Sequence, residues 1–428
     1  MEGKGMVDFD AIRAEFPILD QTVHGHPLVY LDSAATAQKP RCVIDAEADF
    51  YRHDNAAVHR GAHELAARST VAFERARASM ARLVGACADE GGEEIVVTGG
   101  ATAGLNLLAT AFGNASLGRG GSAAARFALH PGDEIMVSKA EHHSVLLPFQ
   151  ELAARTGATL KWLDLDEEGR IRSDMADEVI TERTRVVAVT HVANVTGAIT
   201  DLGPIVRRAH AVGALVVLDA CQSVPHLKVD VHALDVDFAV WSAHKMYGPT
   251  GVGFLYGRRE LLEALPPANF GGSMVELAWM DRPAQYMAPP AKFEAGTQPV
   301  AQVVAAGAAA EWMMAIGMDA IAAHEHEVAA ELLKLGDVDG VRILGPRENR
   351  DRIGTVAFDV DGVHPHDVGQ FIDAQGIAIR VGHHCAQPVH RHFGVYASNR
   401  ASSGVYNSVA DAQALVEAVS KVRAFFRV

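Results

Sequence analysis

The stretch VWSAHKMYGPTGVGFLYG, residues 240–257, contains the feature that decides the fold of this chain. An apolar strand ends there in Ser242, His244 and Lys245, and a turn rich in glycine and proline leads into a second apolar strand. A lysine at the end of a buried strand is partly desolvated, which favours a neutral, nucleophilic amine that can form an imine. For one lysine taken alone, a solvated surface position is the commoner interpretation, so the neighbouring strands must decide.

Short β-branched runs alternate with longer amphipathic segments from about residue 94 to 256. Strands buried on both faces read as continuous apolar runs, and helices between them give βαβ units with a mainly parallel sheet. We therefore predict an α/β fold with a large cofactor-binding domain over residues 37–297, in which segment 113–133 is an inserted surface loop. The predicted strands are EEIVVT, DEIMVS, TRVVAVTHV, ALVVLDA, VDFAVWSA and GVGFLY, and the predicted helices span 102–112, 144–155 and 203–211.

The pattern changes around PPAKFEAGTQP, residues 289–299. A smaller α+β C-terminal domain over residues 298–428 is predicted beyond it, and the N-terminal segment 1–36 is expected to pack with that domain. The predicted elements are a long apolar helix over 300–322, strands at GTVAFDV, GIAIRVG and RASSGVYN, and helices over 366–375 and 409–425.

Composition excludes several classes of protein. The chain has 428 residues, 49% of them hydrophobic, which is enough for more than one domain. A net charge of −15 without a long basic run argues against a nucleic-acid partner. The N-terminal residues mix charges into their apolar positions and lack the apolar segment of a secretory signal or membrane span. We expect a cytoplasmic protein that binds neither nucleic acid nor membranes.

The four cysteines are widely separated and form no CxxC pair. Neither a disulfide framework nor a zinc ribbon is indicated. Cys42, Cys87 and Cys221 are assigned structural roles, and Cys385 stands apart in the histidine-rich stretch IRVGHHCAQP, residues 379–388.

A second strand end supplies a partner for Lys245. Asp219 ends LVVLDACQ, and the carboxyl ends of parallel strands are where such sheets bind ligands. Pyridoxal phosphate needs a Schiff-base lysine and an acidic partner for its ring nitrogen, and these two residues fit those roles. TGGATAGLN, residues 98–106, adds a glycine turn that opens a helix, where an anion is favoured, and Thr102 adds a hydroxyl. Such a turn is weak support by itself.

Eight motifs together resemble the group II cysteine desulfurases of the SufS/CsdA type, which are fold-type I pyridoxal-phosphate enzymes of the class V aminotransferase family. The resemblance implies a homodimer with active sites near the subunit interface. It also implies conversion of L-cysteine to L-alanine, with the sulfur kept on Cys385 as a persulfide for iron–sulfur cluster assembly. The motifs are YLDSAATAQKP, AVHRGAHELA, EHHS, THVANVTG, SAHKMYGPTGVGFLYG, FEAGTQP, RVGHHCAQP and NRASSGVYN.

The resemblance also implies a role for each matched residue. Lys245 would form the internal aldimine and later take the substrate α-proton, and Asp219 would hold the ring nitrogen. His142 would be a catalytic residue stacked on the ring, Gln222 would contact the ring, and Asn194 would contact the substrate or the ring oxygen. The phosphate would be bound by Thr102, Ser242, His244 and Thr297 of the partner subunit. The substrate carboxylate would be bound by Arg400, assisted by Arg380.

The surroundings of Cys385 bear on whether it is a nucleophile or a metal ligand. His383, His384 and Arg380 are expected to supply positive charge, which favours the reactive thiolate. Consecutive residues on an extended segment point in opposite directions, so these histidines and the cysteine are not expected to converge on zinc. We therefore predict no metal site.

A second histidine-rich stretch, VHPHDVGQ, covers residues 363–370. Histidines on a loop are by default surface residues. In some SufS-type enzymes a histidine at the position of His366 engages the zinc of a SufU-type sulfur acceptor. The resemblance therefore favours a SufU-type partner, with a SufE-type acceptor as the alternative.

Other functions compete with this interpretation. Selenocysteine lyase activity could use the same pocket without needing the cysteine. An aminotransferase-like or epimerase activity fits the fold but leaves GHHCAQP without a role. From another class, a non-catalytic sulfur carrier or zinc-binding interaction protein would bind no cofactor and would be colourless.

Overall fold

A computed structural model describes residues 7–86 and 92–428. Cys87, which was assigned a structural role, lies outside the described residues. The α-helices of the described part are α1 (Phe9–Arg13), α2 (Arg41–His53), α3 (Glu64–Leu83), α4 (Ala101–Ser116), α5 (His143–Thr156), α6 (Ala176–Val179), α7 (Leu202–Ala211), α8 (Arg259–Ala264), α9 (Val300–Ile316), α10 (Met318–Leu332), α11 (Pro365–Asp373), α12 (Gln387–His392), α13 (Val409–Ser420) and α14 (Val422–Phe426). Its strands are β1 (Thr22–Val23), β2 (His26–Pro27), β3 (Val29–Tyr30), β4 (Ile95–Thr98), β5 (Glu134–Ser138), β6 (Thr159–Leu163), β7 (Thr184–Thr190), β8 (Leu215–Asp219), β9 (Phe238–Ser242), β10 (Gly253–Gly257), β11 (Val275–Leu277), β12 (Gln285–Tyr286), β13 (Val341–Leu344), β14 (Thr355–Val360), β15 (Ile377–Ala378), β16 (Arg380–Gly382) and β17 (Ser398–Ser402).

A seven-stranded sheet forms the centre of the fold. Its strand order is β4-β10-β9-β8-β7-β5-β6. Strand β10 runs antiparallel to both of its neighbours, and the other pairs are parallel. The prediction of an α/β fold with a mainly parallel sheet is therefore confirmed. Asp219 pairs in register with Val240, so the ends of β8 and β9 meet at the same sheet edge.

The continuous apolar strands arise because both faces of this sheet are covered. Leu218 and Trp241 enter one hydrophobic core, whereas Val217 and Val240 enter a second core on the opposite face. Side chains alternate between the two faces of a strand, so a strand between two cores must be apolar throughout.

A four-stranded antiparallel sheet, β13-β14-β17-β16, holds the C-terminal part of the chain. The N-terminal segment packs with this part of the chain, because β3 pairs in parallel with β15 in a separate two-stranded sheet. Arg13 donates to the carboxylate of Asp411 at 2.8 Å and to the carbonyl oxygen of Tyr406 at 2.6 Å. The division into domains at residues 1–36, 37–297 and 298–428 stays a prediction.

One loop prediction and one helix prediction were wrong. Segment 113–133 is not simply a surface loop: α4 continues to Ser116, and a 3-10 helix spans Gly121–Phe127. Phe127 is buried and stacks on Phe112 with ring centroids 5.7 Å apart, so the segment contributes to the core. The predicted helix over 300–322 breaks at Gly317, where α9 and α10 bend by 79°.

Among the described residues no single helix is long and apolar enough to cross a membrane, although the bent pair α9 and α10 meets that length and composition together.

The strand predictions also needed revision near the C-terminus. GIAIRVG forms two short strands, β15 and β16, and the strand predicted at RASSGVYN begins earlier, at Ser398, and ends at Ser402. The edge strand β6 was not predicted because Thr159 and Lys161 interrupt its apolar residues, as suits a strand with three of its five residues exposed.

A buried ion pair fixes α3 against the sheet edge. Arg77 donates to both carboxylate oxygens of Glu294, at 2.6 and 3.0 Å, and to the carbonyl oxygen of Ile95 at 2.7 Å. Glu294 also accepts from the backbone N–H of Val97 at 2.7 Å. Every partner of this charge is therefore supplied by the fold.

We expect Glu294→Ala to lower the free energy of unfolding by about 3–5 kcal/mol, because it leaves the Arg77 charge buried without its main partner. The measurement is denaturant unfolding followed by circular dichroism. Glu74→Ala is the matched control, since Glu74 also pairs with Arg77 but is 40% exposed; a loss of less than about 1 kcal/mol is expected there. Equal losses in the two variants would contradict the assignment.

Candidate functional site

A cavity of about 170 Å³ opens at the carboxyl edge of the seven-stranded sheet. It collects side chains from strand ends, from the start of α4 and from the four-stranded sheet. Ten of the residues predicted from the sequence line it: Thr102, His142, Asn194, Asp219, Gln222, Ser242, His244, Lys245, Arg380 and Arg400.

Asp219 and Lys245 lie where the strand pattern predicted. Asp219 is the last residue of β8 and is 6% exposed, and its Oδ1 accepts a hydrogen bond from the backbone N–H of Cys221 at 2.9 Å. Lys245 ends the single 3-10 turn that follows β9 and is half-buried. Both residues line the cavity, so an acidic group and an amine face the same space.

The start of α4 forms the end of the cavity suited to an anion. Its first amide, at Ala101, donates to Ser242 Oγ at 2.9 Å, and Thr102 Oγ1 lies 2.7 Å from Ser144 Oγ. Gly100 precedes the helix with a φ of 126°, a conformation that favours glycine. A Cβ at Gly253 would lie 2.5 Å from the Cα of Gly100, so β10 can approach the helix only with glycine there. First-turn amides and the helix dipole favour a phosphate at this position.

His142 caps α5 and is held in one tautomer. Its Nδ1 accepts from the backbone N–H of Ser144 at 3.0 Å. The neutral ring therefore carries its proton on Nε2. Burial, reinforced by the charge of Lys245, lowers the pKa of His142 to about 4, and burial likewise lowers the pKa of His244 to about 4. Both histidines are neutral at pH 7.

Arg400 is completely buried and is held by the two sides of the cavity. Its guanidinium donates to the carbonyl oxygen of Asn194 at 3.0 Å and to Asp32 Oδ1 at 3.3 Å. Burial lowers the pKa of Arg400 to about 10, so it remains charged at pH 7. Asp32 belongs to the motif YLDSAAT, and its contact with Arg400 was not predicted.

Cys385 lies in a tight turn after β16. Gly382, His384 and Cys385 have φ angles of 122°, 50° and 55°, so the segment is not extended as predicted. Left-handed conformations of non-glycine residues are unfavourable and require support from the fold. Here the carbonyl oxygen of Cys385 accepts from the backbone N–H of His143 at 2.7 Å, and Arg380 lies 3.8 Å from Sγ.

The prediction that His384 supplies positive charge to this turn was wrong. His384 is 2% exposed, and burial, together with the nearby charge of Arg400, lowers its pKa far below the usual range. The positive neighbour of the thiol is Arg380. The ring of His383 instead lies against Tyr396, with centroids 4.7 Å apart. Within residues 7–86 and 92–428, no group of three or more His, Cys, Asp or Glu side chains is arranged to hold a metal.

Thr297 and His366, unlike Cys221, do not line this cavity. Thr297 is exposed and lines a second cavity of about 760 Å³, and His366 is exposed in the first turn of α11. Cys221 is buried, and burial raises the pKa of its thiol well above the usual range. Cys42, which was assigned a structural role, is exposed on α2.

Unpartnered polar atoms show what the cavity is built to receive. Asn194 Oδ1, Gln222 Oε1 and Arg400 Nε are buried, and none of them has a hydrogen-bond partner among the described residues. Buried polar groups are normally paired. Together with Asp219, Lys245 and the anion-binding helix start, these acceptors and this donor fit the ring, the phosphate and a substrate carboxylate. The residues present therefore fit pyridoxal phosphate.

The structure adds Glu141, the first residue of the motif EHHS, for which no role was predicted. Glu141 is 1% exposed, and its Oε1 accepts from Ser138 Oγ at 2.5 Å and from the backbone N–H of Thr190 at 3.1 Å. Burial, with a smaller contribution from the charge of Asp219, raises its pKa to about 8. It is therefore mostly an uncharged carboxylic acid at pH 7, adjacent in the chain to His142.

We expect Glu141→Gln to gain stability relative to wild type as pH rises. Because folding raises the pKa of Glu141, its contribution to stability is fully present below the usual value of 4.5 and is lost as pH rises toward 8. Glutamine does not ionise, so the difference should change by on the order of a few kcal/mol between about pH 5 and about pH 9.

Unfolding midpoints measured across this pH range test the prediction. The control is Glu151→Gln, which alters an exposed glutamate on α5. A constant difference between Glu141→Gln and wild type across the range would show that Glu141 ionises as it does in the unfolded chain.

Comparison with known proteins identifies the family. The chain matches the sequence model of the aminotransferase class-V family over residues 29–415. It is 49% identical to a probable cysteine desulfurase 2 of Mycobacterium leprae, covering 98% of both chains, and 47% identical to a probable cysteine desulfurase of Streptomyces coelicolor, covering 99% of both.

Solved structures agree. The cysteine desulfurase CsdA of Escherichia coli superposes with a TM-score of 0.85 at 37% identity, covering 98% of this chain and 100% of that one. The apo cysteine desulfurase of Thermococcus onnurineus NA1 gives a TM-score of 0.88 at 33% identity, covering 98% and 99%. The chain belongs to the class-V aminotransferase family of pyridoxal-phosphate enzymes, as a homologue of its cysteine desulfurases.

Proposed function

We propose that this protein converts L-cysteine to L-alanine and keeps the released sulfur on Cys385. One observation carries the proposal: Arg380 lines the cavity and its guanidinium lies 3.8 Å from Cys385 Sγ. Arg380 therefore links the Cys385 thiol to the cavity that Lys245 and Arg400 also line. A positive neighbour favours the thiolate, which is the nucleophilic form of cysteine.

The cofactor would be held by residues that line the cavity. Lys245 would bond to it, Asp219 would face its ring nitrogen, and Thr102 and Ser242 would stand at its phosphate beside the start of α4. When bound, pyridoxal phosphate supplies an electron sink for the bonds at the substrate α-carbon. His142, as a neutral ring, can lie against the cofactor without introducing a charge.

The substrate would be oriented by its carboxylate. Arg400 offers a planar fork of donors, and its Nε has no partner among the described residues. Its position is set by Asn194 and Asp32, so the carboxylate would be held on the C-terminal side of the cavity. The Lys245 amine lies in the same space and would take the α-proton.

The sulfur step balances without an external oxidant. The thiolate of Cys385 attacks the substrate sulfur, an S–S bond forms, and the C–S bond breaks with its electron pair left on carbon. Protonation of that carbon gives alanine. The substrate carbon is reduced and the two sulfurs share the oxidation as a persulfide on Cys385, which would then supply iron–sulfur cluster assembly.

We expect Cys385→Ala to lower alanine formation from L-cysteine by at least about a hundredfold, because no thiolate remains to accept the sulfur. Its yellow cofactor colour should remain, whereas Lys245→Ala should lose the colour. The measurements are alanine release and the visible spectrum, with the exposed Cys42→Ala as a control at wild-type rate.

An unchanged rate in Cys385→Ala would contradict this mechanism. Selenocysteine turnover retained in that variant, with cysteine turnover lost, would show that the same pocket also cleaves a C–Se bond.

We further propose a homodimer of the SufS type. Thr297 is exposed and lies outside the catalytic cavity of its own chain. The resemblance assigns it to the phosphate site of a neighbouring subunit, and its exposure leaves it available for that contact.

The proposed sulfur acceptor is a SufU-type protein. Helix α11 lies beside β16, the strand that leads into the Cys385 turn, and a Cβ at Gly369 would lie 2.5 Å from the Val381 side chain. His366 is exposed at the start of that helix, with its Nε2 3.3 Å from Gln370 Nε2. An acceptor bound at this histidine would therefore be next to the cysteine turn.

We expect His366→Ala to lose most of the stimulation by a SufU-type acceptor while turnover without acceptor stays at the wild-type rate. The measurement is alanine release with and without acceptor. His130→Ala, which removes another exposed histidine, is the control. Full stimulation in His366→Ala would favour a SufE-type acceptor.

A further inference from the structure

A buried chain of hydrogen bonds lies behind the Cys385 turn. His390 Nδ1 lies 3.1 Å from the carbonyl oxygen of Ala386, and His390 Nε2 lies 3.0 Å from Ser398 Oγ. The same Ser398 Oγ lies 3.0 Å from His384 Nε2. The three side chains are at most 2% exposed, so water does not offer alternative partners.

Counting protons fixes every donor in this chain. Burial lowers the pKa of His390, so its ring is neutral at pH 7 and carries a single N–H. A carbonyl oxygen only accepts, so that proton is on Nδ1, and Nε2 is an acceptor. The Ser398 hydroxyl therefore donates to His390. A hydroxyl has only one proton, so Ser398 Oγ must accept from His384, which then carries its proton on Nε2. The backbone carbonyl of Ala386 thus determines the tautomer of His384.

The consequence is a bare acceptor near the substrate-binding arginine. With its proton on Nε2, His384 has a lone pair on Nδ1, and this atom is buried without a partner among the described residues. Arg400 Nε is a buried donor that also has none, so the two atoms are not hydrogen-bonded to each other and the lone pair acts on the guanidinium through its charge. Ser398 and Arg400 are two residues apart on β17, so their side chains project from the same face of the strand. Of the neighbouring charges, Arg400 acts most strongly on the His384 ring.

We propose that the chain from Ala386 through His390 and Ser398 makes His384 a positioning residue for Arg400. Its bare Nδ1 orients the guanidinium for the substrate carboxylate. Because the chain starts at Ala386, the residue after Cys385, the conformation of the cysteine turn and the carboxylate site are coupled. The inference deepens and rests on the proposed desulfurase function.

The opposite tautomer would not serve this role. If His384 carried its proton on Nδ1, an N–H dipole would replace the lone pair near the Arg400 charge, which is electrostatically unfavourable. The geometry therefore predicts opposite tautomers for the two histidines, with Nε2–H on His384 and Nδ1–H on His390.

The test uses the holoenzyme and three serine variants. Ser398→Ala removes the hydroxyl that sets the tautomer, Ser398→Thr keeps a hydroxyl, and Ser403→Ala removes another buried hydroxyl that lies outside the chain. Nitrogen-15 NMR of labelled histidines reads the tautomers, with His384→Asn and His390→Asn used to assign the signals. Steady-state kinetics with L-cysteine gives KM and kcat separately.

We expect Ser398→Ala to raise KM about tenfold, which corresponds to about 1.4 kcal/mol of weaker substrate binding, with kcat changed less than about twofold. The Nε2–H tautomer of His384 should lose its dominance. Ser398→Thr should restore the tautomer and most of KM, and Ser403→Ala should match wild type. If Ser398→Ala does not fold, His390→Phe replaces it, and the same loss of tautomer and rise in KM are expected.

The inference would be overturned by wild-type tautomers that match in the two histidines, or by a Ser398→Ala variant with unchanged KM. A fall in kcat alone would also overturn it, because the chain would then act on the cysteine turn and not on Arg400. The NMR readout does not depend on catalysis, so an enzyme that fails to turn over cysteine would refute the proposed function without altering the tautomer result.

Discussion

The charge of Arg400 is the constraint around which the site is organised. The guanidinium has no contact with solvent, yet it stays charged at neutral pH, so its donors must be satisfied by protein groups or by a ligand. Asn194 comes from the loop after β7 and Asp32 from the N-terminal segment, whereas Arg400 itself lies on β17. One buried cation therefore joins three distant parts of the chain at the rim of the cavity. Separating these parts would leave the Arg400 charge buried and unpaired.

Much of the central sheet could be predicted from the sequence, because a strand between two cores must be apolar throughout. β8 and β9 meet this condition, and the rule that ligands bind at the carboxyl ends of parallel strands placed Asp219 and Lys245 together. Other elements lacked such a signal. β6 is an exposed edge strand, and the break between α9 and α10 depends on how α10 packs after Gly317, not on the apolar content of residues 300–322.

The residues missed in the site are those whose roles come from burial. His384 looks like a cation beside a thiol in sequence, but the fold buries it and makes it neutral. Glu141 reads as a surface carboxylate, yet the strand ends around it supply two donors and no cation. Ser398 carried one usable signal: it lies two residues before Arg400 on a strand, which puts the two side chains on one face. Nothing in the sequence indicated which histidines would meet its hydroxyl.

The pairing of β3 with β15 has a consequence for how the enzyme is made. Val29 lies opposite Ile377, so a strand near the N-terminus closes a loop of about 350 residues before it gains its partner. During synthesis the large sheet can form while that segment still has nothing to pair with. Asp32 reaches Arg400 only after β17 has left the ribosome. A chain truncated before β17 would therefore lack Arg400 and leave Asp32 without this partner.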